Sequence, residues 1–103
     1  MLEKQGYKKD QTVTLKLVNG DELVAKIVED NPTAFTVSKP CTVIPSAKGL
    51  GLVQSLFTSD LNKSISIDKS HVMLHAPTVK DVEDHYIETT TGIKPATAGG
   101  IIT

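Results

Sequence analysis

The stretch that decides the fold runs from Thr12 to Ser38 and reads TVTLKLVNGDELVAKIVEDNPTAFTVS. Apolar and polar residues alternate from Thr12 to Leu17, and a period of two predicts a half-buried β-strand. The pair Asn19-Gly20 follows and favours a two-residue type I′ hairpin turn, because both central residues of that turn need positive φ. Alternation resumes after the turn, so the stretch predicts a β-hairpin followed by a third strand.

The second strand of this hairpin carries apolar residues on both faces. Leu23, Ala25 and Ile27 share one face, whereas Val24 and Val28 lie on the other. A strand of this kind is covered on both sides for part of its length. The pattern is typical of a long strand that bends and contributes to two layers.

Short alternating runs between turn residues continue as far as Pro77. They predict further strands at residues 35–38, 42–44, 52–58, 64–68 and 72–75. Pro40 is expected to end the third strand or to place it at a sheet edge. After Pro77, Val79, Val82 and Tyr86 recur at helical spacing, which predicts a helix from Thr78, its N-cap, to about Thr90, with Gly92 as its stop.

The chain of 103 residues is long enough for one domain. We expect a flexible N-terminal arm over residues 1–11, a barrel over 12–76, the helical segment over 77–92 and a tail over 93–103. The formal net charge is -1, and every basic residue is a lysine. A protein that grips many phosphates normally has a basic excess, so the composition argues mildly against strong nucleic-acid binding.

Candidate catalytic and metal-binding residues are few. Cys41 is the single cysteine, and no nucleophile, base and orienting acid fall together, so we predict no enzyme activity and no cofactor. His71 and His75, if both lie on one strand, are about 13 Å apart, too far to share a metal ion. No run approaches the ~20 apolar residues of a membrane span, and no signal peptide is visible. We therefore expect a cytoplasmic protein.

Two segments resemble the two signatures of the Sm-like superfamily, whose members are small SH3-like barrels. The first signature is an alternation of apolar residues around a glycine turn, which ends here in the polar turn Asp30-Asn31. Its residues are Val13, Leu15, Leu17, Gly20, Leu23, Ala25 and Ile27. The second signature matches Ile65 to Val72. The resemblance implies an all-β fold, a strongly bent five-stranded barrel. It also implies that the last two strands pair with neighbouring subunits to close a homo-oligomeric ring, commonly of roughly five to seven copies.

The position of the helix bears on which members of the superfamily the chain is similar to. Most Sm-like proteins have a helix before the first strand, whereas the helical pattern here follows the last one. Some small members of viral origin are similar in this respect. The resemblance therefore extends to a phage-type member, which would act in the cytoplasm of the host cell.

Many Sm-like proteins bind single-stranded RNA at the inner rim of the ring, and the resemblance places the corresponding residues here. Asn31, Thr33 and Phe35 fall in the first RNA loop, with Thr33 at the position that stacks on a base and Phe35 in place of the usual asparagine. In the second loop Asp68-Lys69 replaces the usual Arg-Gly, which leaves Lys69 as the cation. Because Thr33 has no aromatic face, worth about 1–3 kcal/mol per base, this RNA pocket is degenerate.

Three functions are compatible with these patterns. The first is an Sm-like ring that binds RNA or acts as an RNA chaperone. The second is a structural module for oligomerisation or protein interaction without nucleic-acid binding. The third is a monomeric SH3-like adaptor, which would need an aromatic groove. The chain has four aromatic residues to build one: Tyr7, Phe35, Phe57 and Tyr86.

Overall fold

The computed structural model describes residues 6–47, 49–56, 58 and 63–91. These residues form six strands, one 3-10 turn and one α-helix. The elements are β1 (Thr12–Leu17), β2 (Glu22–Asp30), β3 (Ala34–Ser46), β4 (Gly49–Gln54), β5 (Ile65–Asp68), the 3-10 turn (Lys69–His71), β6 (Val72–Pro77) and α1 (Lys80–Thr91). The fold is mostly β with a C-terminal helix, as predicted, but it has six strands where the resemblance implied five, and the strands predicted at 35–38 and 42–44 are one continuous strand, β3. No helix in the described part of the chain could span a membrane.

All strands join one antiparallel sheet, in the order β4-β3-β2-β1-β6, with β5 on β3 beside β4. The long β3, of 13 residues, holds both of these partners on the same edge. Its first part, Ala34–Val37, pairs with β5, and its last part, Cys41–Ser46, pairs with β4. Because β1 pairs with β6, the first and last strands of the chain are neighbours in the sheet.

The turn between β1 and β2 differs from the predicted type I′ turn. Gly20 has φ of 98°, whereas Asn19 is not among the described residues with positive φ. The Gly20 amide donates to the Leu17 carbonyl (2.9 Å) and the Leu17 amide donates to the Asp21 carbonyl (2.8 Å). This is a three-residue loop whose last residue is left-handed, the next most common hairpin geometry after the two-residue turns. The Asn-Gly pair thus predicted the hairpin correctly but not its loop length.

Strand β3 continues through Pro40, where the sequence predicted its end or a sheet edge. Ser38 pairs with Lys26 and Cys41 pairs with Val24, so Lys39 and Pro40 face Ala25 alone. Lys39 has φ of 50°. β3 thus has one residue more than β2 at this point, and the two residues form a β-bulge, which bends the strand and tolerates a proline because the bulged residue leaves the ladder.

The buried apolar residues form two clusters on opposite sides of β2. Val24 and Cys41 join Tyr86 of α1 in the smaller cluster. The larger one contains Val13, Leu15, Leu23, Ala25, Ile27, Phe35 and Val37. Since neighbouring residues of a strand point to opposite faces, both sides of β2 are covered at Val24 and its neighbours. The prediction that this strand contributes to two layers is confirmed.

The helix begins at Lys80, two residues later than predicted, and Gly92, its predicted stop, lies outside the described residues. Thr78 was expected to cap the helix, but its hydroxyl lies 2.9 Å from the hydroxyl of Thr14 on β1. The helix packs on the sheet through Tyr86, its one buried residue. The segment that precedes the helix is therefore fastened to the sheet by a side-chain hydrogen bond.

Residues 6–11 differ from the predicted flexible arm, because they lie against the sheet. The Asp10 amide donates to the Ile27 carbonyl (2.7 Å), and the Ile27 amide donates to the Gln11 carbonyl (2.8 Å), which extends the pairing of β1 with β2. Tyr7 packs against the larger core cluster. Other predictions fall outside the described residues: those for residues 1–5, for Phe57 at the predicted 52–58 strand, and for the tail over 93–103.

Candidate nucleic-acid interface

The two loops assigned to RNA binding meet in the structure. The Lys69 amide donates a hydrogen bond of 2.9 Å to the Thr33 carbonyl, directly beyond the Ala34–Asp68 pair of β3 and β5. We call residues 30–35 and 68–71 the loop junction. Two local hydrogen bonds stabilise it. The backbone amide of Asn31 donates to the Ala34 carbonyl (2.9 Å), and the backbone amide of Ser70 donates to the Asp68 carboxylate, which caps the 3-10 turn (2.9 Å).

Lys69, the predicted cation of the site, has a counter-ion in Asp30. Its Nζ lies 2.6 Å from Asp30 Oδ1, and the two side chains are 33% and 13% exposed. The same Nζ lies 4.6 Å from the centroid of the Phe35 ring, within the range of a cation–π contact. A phosphate that approaches Lys69 therefore competes with a carboxylate already in place. The sequence pattern predicted only a turn at Asp30 and did not predict this ion pair.

Asp30 joins the junction to the N-terminal segment as well. Its second oxygen, Oδ2, accepts a hydrogen bond of 3.0 Å from the Tyr7 amide. Burial by itself would raise the pKa of Asp30, but the hydrogen bonds from Lys69 and the Tyr7 amide, together with the charge of Lys69, lower it. The carboxylate is therefore held in its ionised form beside Lys69.

Phe35 is not positioned to stack on a base. Its side chain is 1% exposed and belongs to the larger core cluster. Its ring contacts the ring of His75 edge-on at a centroid distance of 5.4 Å and the ring of Tyr7 at 6.0 Å. Because these rings and Lys69 surround it, no face of Phe35 is open to a nucleotide.

The other two predicted residues lie at the surface of the junction. Asn31 is half-buried, and its side-chain amide donates to the Thr36 hydroxyl (3.3 Å). Thr33 is exposed at the tip of the turn after Pro32. Of the four predicted residues, Asn31, Thr33 and Lys69 thus remain at least partly exposed at the loop junction, whereas Phe35 is buried.

Sequence reasoning missed the pairing of Tyr7 with His75. The Tyr7 hydroxyl lies 2.7 Å from His75 Nδ1, and the two rings meet edge-on at 5.6 Å. Burial and the nearby charge of Asp30 raise the pKa of Tyr7. His71 lies in the 3-10 turn, so the two histidines do not share a strand as predicted. The described residues contain no group of three or more histidine, cysteine or acidic side chains that could hold a metal ion.

A second surface of interest is the outer edge of β6, the last strand in the sheet order. Met73 and Leu74 of this strand are 56% and 63% exposed. Leu74 pairs with Lys16 of β1, whereas Met73 lies at the bulge between this pair and the Leu17–Val72 pair, so β6 exposes two neighbouring apolar side chains. In the part of the chain that the structure describes, no strand pairs with this edge.

Comparison with known proteins adds no relative: no family model matches the sequence, and no curated protein matches it.

Proposed function

We propose that this chain is an Sm-like module that assembles into a ring and binds single-stranded RNA weakly at the loop junction. The observation that carries the proposal is the hydrogen bond between the Lys69 amide and the Thr33 carbonyl, which joins the two loops in which the Sm-like resemblance places its RNA contacts. Asn31 and Thr33 would offer polar contacts to a base or sugar, and Lys69 would contact phosphate.

The binding is weak for two physical reasons. Asp30 already neutralises Lys69 at 2.6 Å, so a phosphate gains only the difference between two similar ion pairs. Phe35 is buried, so the stacking energy that most single-strand binders obtain from aromatic rings is absent at this position. Binding would therefore depend on many equivalent junctions acting together around a ring.

Fluorescence anisotropy with labelled oligo-U, oligo-A and mixed-sequence RNA, measured over a salt series, tests the proposal. Affinity should fall as salt rises, because each phosphate contact releases counterions. Lys69→Ala should weaken binding, and Asp30→Asn should strengthen it by removing the competing carboxylate. The matched control is Lys80→Ala, which removes another lysine paired with an aspartate, Asp84 at 2.9 Å, but on the helix. If none of the three RNAs binds at low salt, RNA binding is ruled out.

The second candidate function is assembly without RNA, and the exposed residues on β6 favour it. An outer strand edge with two exposed apolar residues, Met73 and Leu74, is suited to pairing with a strand of another subunit. Light scattering on the purified protein should then find an oligomer that contains no nucleic acid. Leu74→Lys should lower its mass, whereas a wild-type protein that is monomeric at all concentrations would exclude both assembly and the ring.

A further inference from the structure

Cys41–Ser46 of β3 and Gly49–Gln54 of β4 form a hairpin at one end of the sheet. The outer edge of this hairpin lacks the features that usually protect an exposed strand. Strand β4 ends the sheet order, and no strand in the described ranges pairs with its outer edge. Its sequence, GLGLVQ, contains neither a charged residue nor a proline. Natural proteins usually block such edges with lysine, proline or a bulge, because an open edge invites another strand.

The whole hairpin around this edge is nearly uncharged. From Pro40 to Ser59 the sequence contains one charged residue, Lys48. Apolar side chains are nonetheless exposed on it: Leu50 is 62% exposed, Ile44 38% and Val53 37%. A charged partner would have to give up hydration here without finding an opposite charge. The same uncharged edge on a second copy would meet no charge repulsion and would have no charged groups to dehydrate.

The order of residues in β4 is complementary to itself. When two copies pair antiparallel with Gly51 opposite Gly51, Leu50 of each copy faces Leu52 of the other, and Gly49 faces Val53. Paired residues share a face, so this register puts leucine beside leucine on one face and glycine beside valine on the other. Leu52 packs against the smaller core cluster, so the leucine face continues an apolar layer already present in each copy.

We propose that β4 is a second assembly interface, through which two copies of this chain join their sheets about a two-fold axis near Gly51. The contact extends the sheet of one copy into that of the other and satisfies the backbone groups along the outer edge of β4. It is separate from the β6 edge invoked for the ring, and it holds whether or not the ring or RNA binding exists.

Native mass spectrometry and light scattering on the full chain test this interface. Leu50→Lys places a charge on the pairing edge at an exposed position, and it should halve the mass of the wild-type particle. Val53→Lys does the same on the other face, which keeps the test valid if one variant folds poorly. Val18→Lys, at 59% exposure in the loop between β1 and β2, is the matched control, and it should keep the wild-type mass.

A cysteine at the centre of the pairing provides an independent measurement. Opposed residues in antiparallel strands have Cα atoms about 4.5–5.5 Å apart, within disulfide range. Gly51→Cys should therefore give a disulfide-linked dimer on oxidation, whereas Glu88→Cys, exposed on the helix, should give little. The interface is refuted if both β4 variants keep the wild-type mass, or if Gly51→Cys links no better than Glu88→Cys.

Discussion

The hydroxyl oxygen of Tyr86 lies 2.9 Å from the carbonyl oxygen of Lys39, and it is also 3.2 Å from the carbonyl oxygen of Ser38. Both carbonyls belong to the region where β3 bulges, and a buried carbonyl needs a partner from elsewhere when the ladder is interrupted. The helix supplies that partner through a side chain that is fully buried. The bend of β3 and the docking of α1 are therefore parts of one arrangement.

Removing the Tyr86 hydroxyl should destabilise the fold without changing its shape. Tyr86→Phe keeps the ring in the smaller core cluster but removes the hydroxyl that donates to the Lys39 and Ser38 carbonyls, which should cost about 1–3 kcal/mol. Urea denaturation measures the loss. The exposed neighbour His85→Ala is the control and should change the free energy of unfolding by less than about 0.5 kcal/mol. Equal effects from the two variants would mean that the hydroxyl does not stabilise the bulge.

The Asp30–Lys69 ion pair should make stability depend on pH at the acid end. Since the pKa of Asp30 is lowered in the folded state, the ionised carboxylate stabilises the fold. That contribution is complete above the carboxyl's unfolded pKa, about 3.9, and is lost as the pH falls through the lower folded pKa. We expect Asp30→Asn to cost about 1 kcal/mol or less at pH 7, because Lys69 is partly exposed.

The measurement is urea denaturation of wild type and Asp30→Asn between pH 7 and pH 2. The gap between them should close as the pH falls below about 4. Glu29→Gln, an exposed acid on the same strand, should show no such gap. A gap that persists unchanged at the lowest pH would show that Asp30 acts through packing rather than charge.

Cys41 should be inert in the folded protein. It is 4% exposed, and burial raises the pKa of its thiol to about 11. At pH 8 only about one thiol in a thousand is then ionised, and the thiolate is the reactive form. An aromatic disulfide reagent should label Cys41 only after denaturant is added. The added cysteine of Thr58→Cys, at an exposed position, should react at once, and similar native rates at the two sites would contradict the burial of Cys41.

Tyr7 should contribute to the stability of the domain even though it precedes the first strand. Tyr7→Ala removes a ring that packs on Phe35 and His75, and for a half-buried aromatic this should cost about 2 kcal/mol. Tyr7→Phe removes only the hydrogen bond to His75 and should cost about 1 kcal/mol. Lys8→Ala, an exposed neighbour, is the control for thermal unfolding. If Tyr7→Ala melts like wild type, residues 6–11 are the loose arm that the sequence predicted.

The candidate site could be predicted only in part. Spacing placed Asn31, Thr33 and Lys69 correctly on two loops, and the structure brings those loops together. The ion pair and ring contacts of the site could not be predicted from spacing, because they join residues that are far apart in the sequence. Asp30 and Lys69 are 39 positions apart, and Tyr7 and His75 are 68 apart. No local pattern reports such a pairing.

Some of the fold was determined by the sequence alone, because local rules suffice for it. Alternation with a period of two predicted the strands around Asn19-Gly20, the apolar pattern of β2 predicted two layers, and helical spacing predicted α1. The tertiary structure decided three other features: the continuation of β3 past Pro40 by a bulge, the packing of residues 6–11 on the sheet, and the neutralisation of Lys69 by Asp30. Each of these depends on contacts between distant segments, whose energies exist only after the sheet has brought the segments together.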